Sequence, residues 1–402
     1  MVPRHLQSVL EESAGLFPVL TLTGPRQSGK TTLARATFKD AHYVSLEDPA
    51  QRNLALEDAT GFLNQFGTDQ VILDEAQRAP DLFSYIQIAV DQNDLPGQYI
   101  LTGSQNFLLL EKISQSLAGR CAVHHLLPFS RSELLGAVPT DPDRITSMPK
   151  LSEKAKDTTD ANLFDVLWTG SYPRIHDKHI PPQRWLASYI QTYIERDVRS
   201  IVNVSDLETF TRFVRLCAGR TGQILNLQAL GNDCGIDSKT AKRWLSILET
   251  SFVIKLLRPY YKNFNKRLIK SPKLYFLDSG LLCYLLGIHK PEELLAHSAR
   301  GAIFESWVIA ELYKNYYHAG KEPKMYFFRD SNDNEIDLIL DHGQTMIPIE
   351  IKSGQTINPE FFKGLDYWRT LAGGQDLPAV LIYGGNNSTV FKGMKVLPWH
   401  AL

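Results

Sequence analysis

One stretch restricts what this chain can fold into more than any other: Val19-Leu-Thr-Leu-Thr-Gly24-Pro25-Arg26-Gln27-Ser28-Gly29-Lys30-Thr31-Thr32. An apolar run with strand character enters the pattern GxxxxGK[ST], and a helix from Thr32 to Phe38 follows. Glycines in such a turn let the backbone wrap a polyphosphate, so that successive N–H groups and the helix N-terminus point at its oxygens. Lys30 is placed to reach the β and γ phosphates, and the Thr31 hydroxyl to hold Mg²⁺. A strand feeding such a loop belongs in a parallel sheet with covering helices.

The rest of the first third supports that reading. Short β runs at Val19–Thr23, Tyr43–Leu46, Val71–Leu73, Gln98–Leu101 and Ala122–Leu126 alternate with helical stretches, and Leu6, Val9 and Leu10 mark a short amphipathic helix before them. Val71-Ile-Leu-Asp74-Glu75 is an apolar strand ending in two carboxylates. Beside a phosphate loop the first acid, Asp74, binds Mg²⁺ through water, and the second, Glu75, orients an attacking water as the base.

Composition sets wider limits. With 402 residues and a net charge of −1, the chain has room for two to four domains, and any nucleic-acid surface must be a local patch. Cys121, Cys217, Cys234 and Cys283 form no CxxC pair, which argues against a zinc site or disulfide framework. No apolar run approaches membrane-spanning length and the N-terminal segment carries Glu11 and Glu12, so a cytoplasmic location is expected.

Tyr99-Ile-Leu-Thr-Gly-Ser104-Gln105 is a further strand with a polar end, and Ser116-Leu-Ala-Gly-Arg120 stands directly before the last strand. Here the chain resembles the AAA-type ATPases. The resemblance implies ATP and Mg²⁺ as cofactors, Ser104 as sensor of the γ-phosphate, and Arg120 as a finger reaching a neighbouring subunit's site in an oligomer. It also implies a helical lid in the segment after residue 162, with Arg174 or Arg196 touching the nucleotide.

Between 224 and 275 the pattern changes. Leu227–Cys234, a turn at Gly235-Ile-Asp237 and Ser238–Glu249 read as helix, turn, helix, with Asp237 or Ser238 as the cap of the second. Ala241, Trp244, Leu245 and Leu248 make its core face and leave Lys239, Lys242 and Arg243 outside. Phe252–Leu257, a tip carrying Lys262, and Lys273–Leu277 would form a wing. From Ser238 to Lys273 ten Lys or Arg face one acid, Glu249. That asymmetry points to nucleic-acid phosphates, DNA foremost. The other reading is a winged helix whose basic face packs on protein.

In the last hundred residues a helix around Glu305 precedes two strands, Asn334–Leu340 and Ile347–Lys352. Alternation lets this hairpin gather Asp337, Glu350 and Lys352. The helix glutamate, the aspartate and the ExK triplet resemble the restriction-endonuclease-like superfamily, with Asp337 and Glu350 holding a metal, and with Asp333 or Glu335 in place of Asp337 if the register slips. The resemblance leaves two roles open, metal-dependent cleavage and binding without cleavage.

Together these stretches resemble one prokaryotic family of AAA-type ATPases fused to a C-terminal domain of unknown function. The implied fold class is α/β throughout. A parallel-sheet P-loop ATPase core spans 1–136, a polar linker and helical lid 137–202, a winged helix 203–288 and a restriction-endonuclease-like domain 289–402. The implied function is an oligomeric ATPase acting with nucleic acid; the alternative is a nucleotide-controlled scaffold.

Overall fold

The computed structural model describes residues 2–103, 116–147, 162–193, 207–260, 270–374 and 376–402. Ser104, Gln105, Arg196 and Lys262, singled out above, lie outside the described residues.

The N-terminal part is a five-stranded sheet in the order β2 (His42–Ser45), β3 (Val71–Asp74), β4 (Tyr99–Gly103), β1 (Val19–Thr23), β5 (Cys121–His125), parallel throughout. These are the five strands expected from sequence, with ends moved by one or two residues. β1, β3 and β4 are buried along their whole length because both faces of the sheet are covered. On one face α1 (Leu6–Ala14) and α2 (Lys30–Thr37) bring Leu6, Leu10, Leu33 and Ala34 against Leu20, Leu22, Ile72 and Ile100. On the other, α3 (Pro49–Glu57), α4 (Ala59–Asn64) and α5 (Leu82–Asn93) cover Val19, Leu73 and Leu101 with residues such as Phe62, Phe83 and Ile86. Because all strands run the same way, every loop leaving a strand end emerges on one edge, where such sheets bind ligands.

The short α6 (Arg131–Leu134) follows, then three helices, α7 (Leu163–Thr169), α8 (Pro173–Asp177) and α9 (Pro182–Tyr193). Next come α10 (Leu207–Ala218), α11 (Leu227–Cys234) and α12 (Ser238–Thr250), the last two joined by the expected turn. Gly235 takes the left-handed conformation that closes α11, and Asp237 caps α12 through the N–H groups of Lys239 and Thr240.

An eight-stranded mixed sheet holds the remainder, in the order β12 (Thr389–Phe391), β13 (Met394–Pro398), β11 (Val380–Tyr383), β10 (Met346–Lys352), β9 (Glu335–Asp341), β8 (Met325–Arg329), β6 (Ile254–Pro259), β7 (Lys273–Phe276). Its first helix after β7, α13 (Ser279–Leu285), leads to the long α14 (Arg300–His318), and α15 (Lys363–Ala372) lies between β10 and β11. The hairpin expected as a wing is present as antiparallel β6 and β7, but β6 also pairs with β8 at Arg258↔Tyr326 and Pro259↔Phe327. No sheet boundary therefore falls at 288/289 among the described residues, and one apolar core runs from Leu127 to Leu402 through α7 to α9, α10 to α12 and α14. Part of the expected linker is docked: Asp143 meets Lys321 at 2.5 Å and the Tyr316 hydroxyl at 3.1 Å.

Candidate functional site

The phosphate loop leaves β1 at the ligand edge of the parallel sheet. Gly24 has φ of 150°, and a Cβ there would stand 2.1 Å from the Leu126 carbonyl oxygen, so no side chain fits while β1 and β5 keep their register. Gly29, at φ of 95°, is the left-handed residue that opens α2. Lys30 is nearly buried and its ammonium donates to the loop's own carbonyls, Gly24 O at 3.0 Å and Pro25 O at 2.8 Å.

Asp74 collects three hydroxyls at the end of β3. Thr31 Oγ1 lies 3.0 Å from both carboxylate oxygens, the Tyr43 hydroxyl 2.8 Å from Oδ2, and Thr102 Oγ1 donates to Oδ1. Partial burial and the Asp74 charge push the Tyr43 phenol up to about 12. Glu75 follows in a left-handed conformation, φ 55°. Gln77 Nε2 holds Glu75 Oε2 at 2.5 Å. A cleft of about 530 Å³ opens over the loop, lined by Arg4, Arg26 to Thr32, Glu75, Phe129 and, from α8, Pro173 and Arg174. Its size is typical of small-molecule sites, roughly 300–1,000 Å³. The arrangement can hold a hard cation between Thr31 and Asp74, and an anion along the loop.

Arg120 sits elsewhere. It precedes β5, at the sheet edge opposite the loop, paired with Asp91 on α5 at 3.0 Å and half exposed. Lys239, Lys242 and Arg243 form an exposed basic face on α12, with Ala241, Trp244, Leu245 and Leu248 buried behind it.

At the C-terminal cluster the hairpin register continues from Ile349↔Leu338 so that Glu350 comes beside Asp337. Asp337 Oδ2 accepts from the Ile351 N–H at 2.8 Å and lies 3.3 Å from Lys352 Nζ, which also pairs with Glu350 Oε1 at 2.5 Å. Among the described residues, Glu350 Oε2 is buried without a partner. Glu305 accepts from the Tyr275 hydroxyl at 2.5 Å and faces Lys273 at 3.4 Å; Lys273 pairs with Glu335 as well. Burial, reinforced by Asp337, raises the Glu350 carboxyl to about 8, and burial with Asp337 and Glu335 beside it raises Glu305 to about 7. Burial would lower Lys352, but Asp337 and Glu350 outweigh it and hold that ammonium above its ordinary value. The four residues expected here are thus brought together. Among the described residues, however, no three His, Cys, Asp or Glu side chains converge to hold a metal; Asp337 and Glu350 offer a pair, with one open oxygen.

Three stretches match known families: residues 16–135 an AAA domain, 160–292 a domain of unknown function (DUF8612), and 300–402 another domain of unknown function (DUF4143). Across the whole, the chain is 30% identical over 351 residues to "Uncharacterized protein Rv2008c" of Mycobacterium tuberculosis, covering 84% of this chain and 71% of that one. "Uncharacterized protein Mb2031c" of Mycobacterium bovis matches with the same values. The chain belongs to the family of these two proteins. Its first third is an AAA-type ATPase domain. Among solved structures, the Walker-type ATPase PABY2304 of Pyrococcus abyssi is 16% identical, with a TM-score of 0.43 over 71% of this chain and 96% of that one, too remote to carry an argument.

In this family member, several site residues escaped the sequence reading. Thr102 and Tyr43 touch Asp74 from neighbouring strands, a convergence that only the strand order creates. Lys273 and Tyr275 reach Glu305 for the same reason, since β7 lies in the second sheet. Glu133 did leave a signal, the Ser130-x-x-Glu133 capping box that opens α6.

Proposed function

We propose that the protein is an oligomeric ATPase that works on or with nucleic acid, using ATP bound in the cleft above Gly24–Thr32. One observation carries the reading: Thr31 and Asp74 meet at 3.0 Å at the mouth of the parallel sheet, directly behind a loop whose lysine caps its own carbonyls. Oxygen donors alone suit Mg²⁺, and the left-handed Gly29 at the head of α2 turns the loop into the helix N-terminus, where an anion is favoured. When bound, Mg²⁺–ATP supplies an electrophilic phosphorus with its charge partly neutralised. Lys30 would exchange the two carbonyls for phosphate oxygens, Thr31 and Asp74 would hold the cation, and Glu75 would take the proton of the attacking water. Arg174 closes the cleft from the lid, and Arg120 acts on the neighbouring subunit.

The exposed face of Lys239, Lys242 and Arg243 supports contact with nucleic-acid phosphates. For the C-terminal cluster, the open oxygen of Glu350 beside Asp337 supports one bound cation and phosphodiester cleavage assisted by Lys352, with Glu305 as a supporting acid. The competing scaffold reading, in which this domain binds without cutting, is favoured by Lys273 and Lys352 already neutralising the carboxylates there.

ATP turnover measured with and without DNA, across a salt series, tests the proposal. Stimulation by DNA that fades with salt, lost in Lys30→Ala, is the expected result. ATP-dependent assembly without any DNA effect would leave the scaffold reading, and absence of turnover in the unmutated protein would overturn the ATPase reading. Cleavage of supercoiled or single-stranded DNA with Mg²⁺ or Mn²⁺, abolished in Lys352→Ala, would establish the nuclease.

A further inference from the structure

A buried polar chain connects the phosphate loop with the C-terminal helix. Arg4 uses each part of its guanidinium: Nη1 donates to the Ser28 carbonyl of the loop at 2.8 Å, Nη2 to the Leu127 carbonyl at 2.7 Å, and Nε to Glu133 Oε1 at 3.0 Å. Its plane also lies 4.8 Å from the ring centre of Phe129, and Arg4 and Phe129 both line the cleft. Glu133 Oε1 further accepts from the His5 N–H at 2.9 Å, and Oε2 from the Ser130 N–H at 2.9 Å. On the far side stands His318, in the last turn of α14, with Nδ1 3.4 Å from Glu133 and Nε2 3.4 Å from Arg4 Nη2. A guanidinium can only donate, so Nε2 is the accepting nitrogen, and Nδ1 faces the carboxylate at ion-pair distance with no hydrogen-bond partner among the described residues. Arg4, Glu133 and His318 are all nearly excluded from water.

Buried ionic groups of this kind add little stability compared with apolar side chains of the same volume, and removing one member leaves the others uncompensated. Their geometry instead ties three elements to one another: the loop through Ser28, α6 through Glu133, and α14 through His318. A nucleotide that draws Lys30 off the Gly24 and Pro25 carbonyls acts on the same loop whose Ser28 carbonyl, between those residues and α2, is held by Arg4.

We propose that Arg4 is a positioning residue that links occupancy of the phosphate loop to the packing of the C-terminal helix through Glu133 and His318. The link rests on the reading that the cleft binds ATP. Coupling between sites is reciprocal: if the loop's state biases α14, then altering α14 at His318 changes nucleotide affinity although His318 does not line the cleft.

The test uses the full chain and Mg²⁺–ATP. Titration of the unmodified protein, Arg4→Lys, His318→Phe and the double variant gives four dissociation constants, with circular dichroism confirming folding. The expected result is a weakening of about fivefold or more in each single variant, and a double variant weakened by less than the product of the two. Hydrogen exchange on the unmodified chain provides a measurement independent of substitution: ATP changes protection in residues 311–318, and Arg4→Lys removes that response. Unmodified protein that binds ATP while residues 311–318 do not respond, or His318→Phe with an unchanged constant, overturns the link alone. Unmodified protein that fails to bind ATP overturns the nucleotide reading, and the link with it.

Discussion

Replacing Gly24 by alanine separates two reasons for a glycine at the head of the loop. The residue sits at φ 150°, a backbone region that alanine enters only with strain, and an added Cβ would stand 2.1 Å from the Leu126 carbonyl oxygen. That contact is more than an ångström short of van der Waals distance, and neither partner can retreat easily: Leu126 N donates to Thr23 O at 2.8 Å, and β1 is pinned between β4 and β5. The conformational strain is worth about 1–3 kcal/mol. Forcing an extra methyl into this packed junction adds about 1–3 kcal/mol. Gly24→Ala should therefore lose about 2–6 kcal/mol, a large part of the margin of an ordinary domain, roughly 5–15 kcal/mol. Gly67→Ala is the matched control, since Gly67 also has positive φ, 54°, but open space around the added Cβ. It should cost only about 1–2 kcal/mol. Urea unfolding followed by circular dichroism gives both midpoints. Equal losses in the two variants would refute the argument that close approach of β5, rather than φ alone, selects glycine at position 24.

Other consequences can be checked more briefly. Glu75→Gln should retain ATP binding and lower turnover by about 10²–10⁴, read from paired binding and phosphate-release assays; ordinary turnover would sink the assignment of the base. Arg120→Ala should slow hydrolysis without weakening ATP binding, and mixing it with Lys30→Ala protein, whose Arg120 is intact, should restore activity. Removing Lys239, Lys242 and Arg243 one at a time should each reduce the slope of log affinity for DNA against log salt by about 1. Protonation of Glu350 also makes stability depend on pH. Its folded-state value of about 8 lies above the ordinary 4.5, so the folded chain holds the proton more tightly, and stability falls as pH rises between those values. Glu350→Gln should flatten that part of the pH profile in thermal melts.

Legibility of the fold followed from how local its cause was. The strands of the first sheet could be read because both faces are covered, which writes them as short apolar runs such as VILD and YILTG. Gly24, Gly29, Lys30, Thr31 and Asp74 could be read because one loop and one strand end contain them. The basic face of α12 was legible from helical spacing alone, with Ala241, Trp244, Leu245 and Leu248 turned inward. By contrast, the pairing of β6 with β8 depends on two short registers some seventy residues apart, which leave no periodic trace. The same holds for Arg4: an isolated arginine near the N-terminal end carries no mark of the three partners that the fold gathers around it.

The two edges of the parallel sheet place Arg120 and the phosphate loop at opposite ends of the ATPase domain. Strands of five residues separate their ends by about 13–17 Å at 3.3 Å per residue, so Arg120, before β5, cannot reach the phosphate loop that follows β1 in the same chain. Its pairing with Asp91 on an exposed surface leaves it available to a partner at modest cost, since such surface pairs are worth roughly 0–1 kcal/mol. The loop edge, in contrast, is engaged internally: Ser28 through Arg4, the segment after β5 through Glu133 and Arg131, the latter's N–H held by Glu311 of α14 at 2.8 Å. If an arginine from a neighbour completes the site, it must enter through the mouth of the cleft, where Glu47, Glu75 and Arg174 stand. In that case its arrival and the state of α14 would act on the same loop from opposite sides, and hydrolysis would depend on the assembled subunits and on the C-terminal domain together.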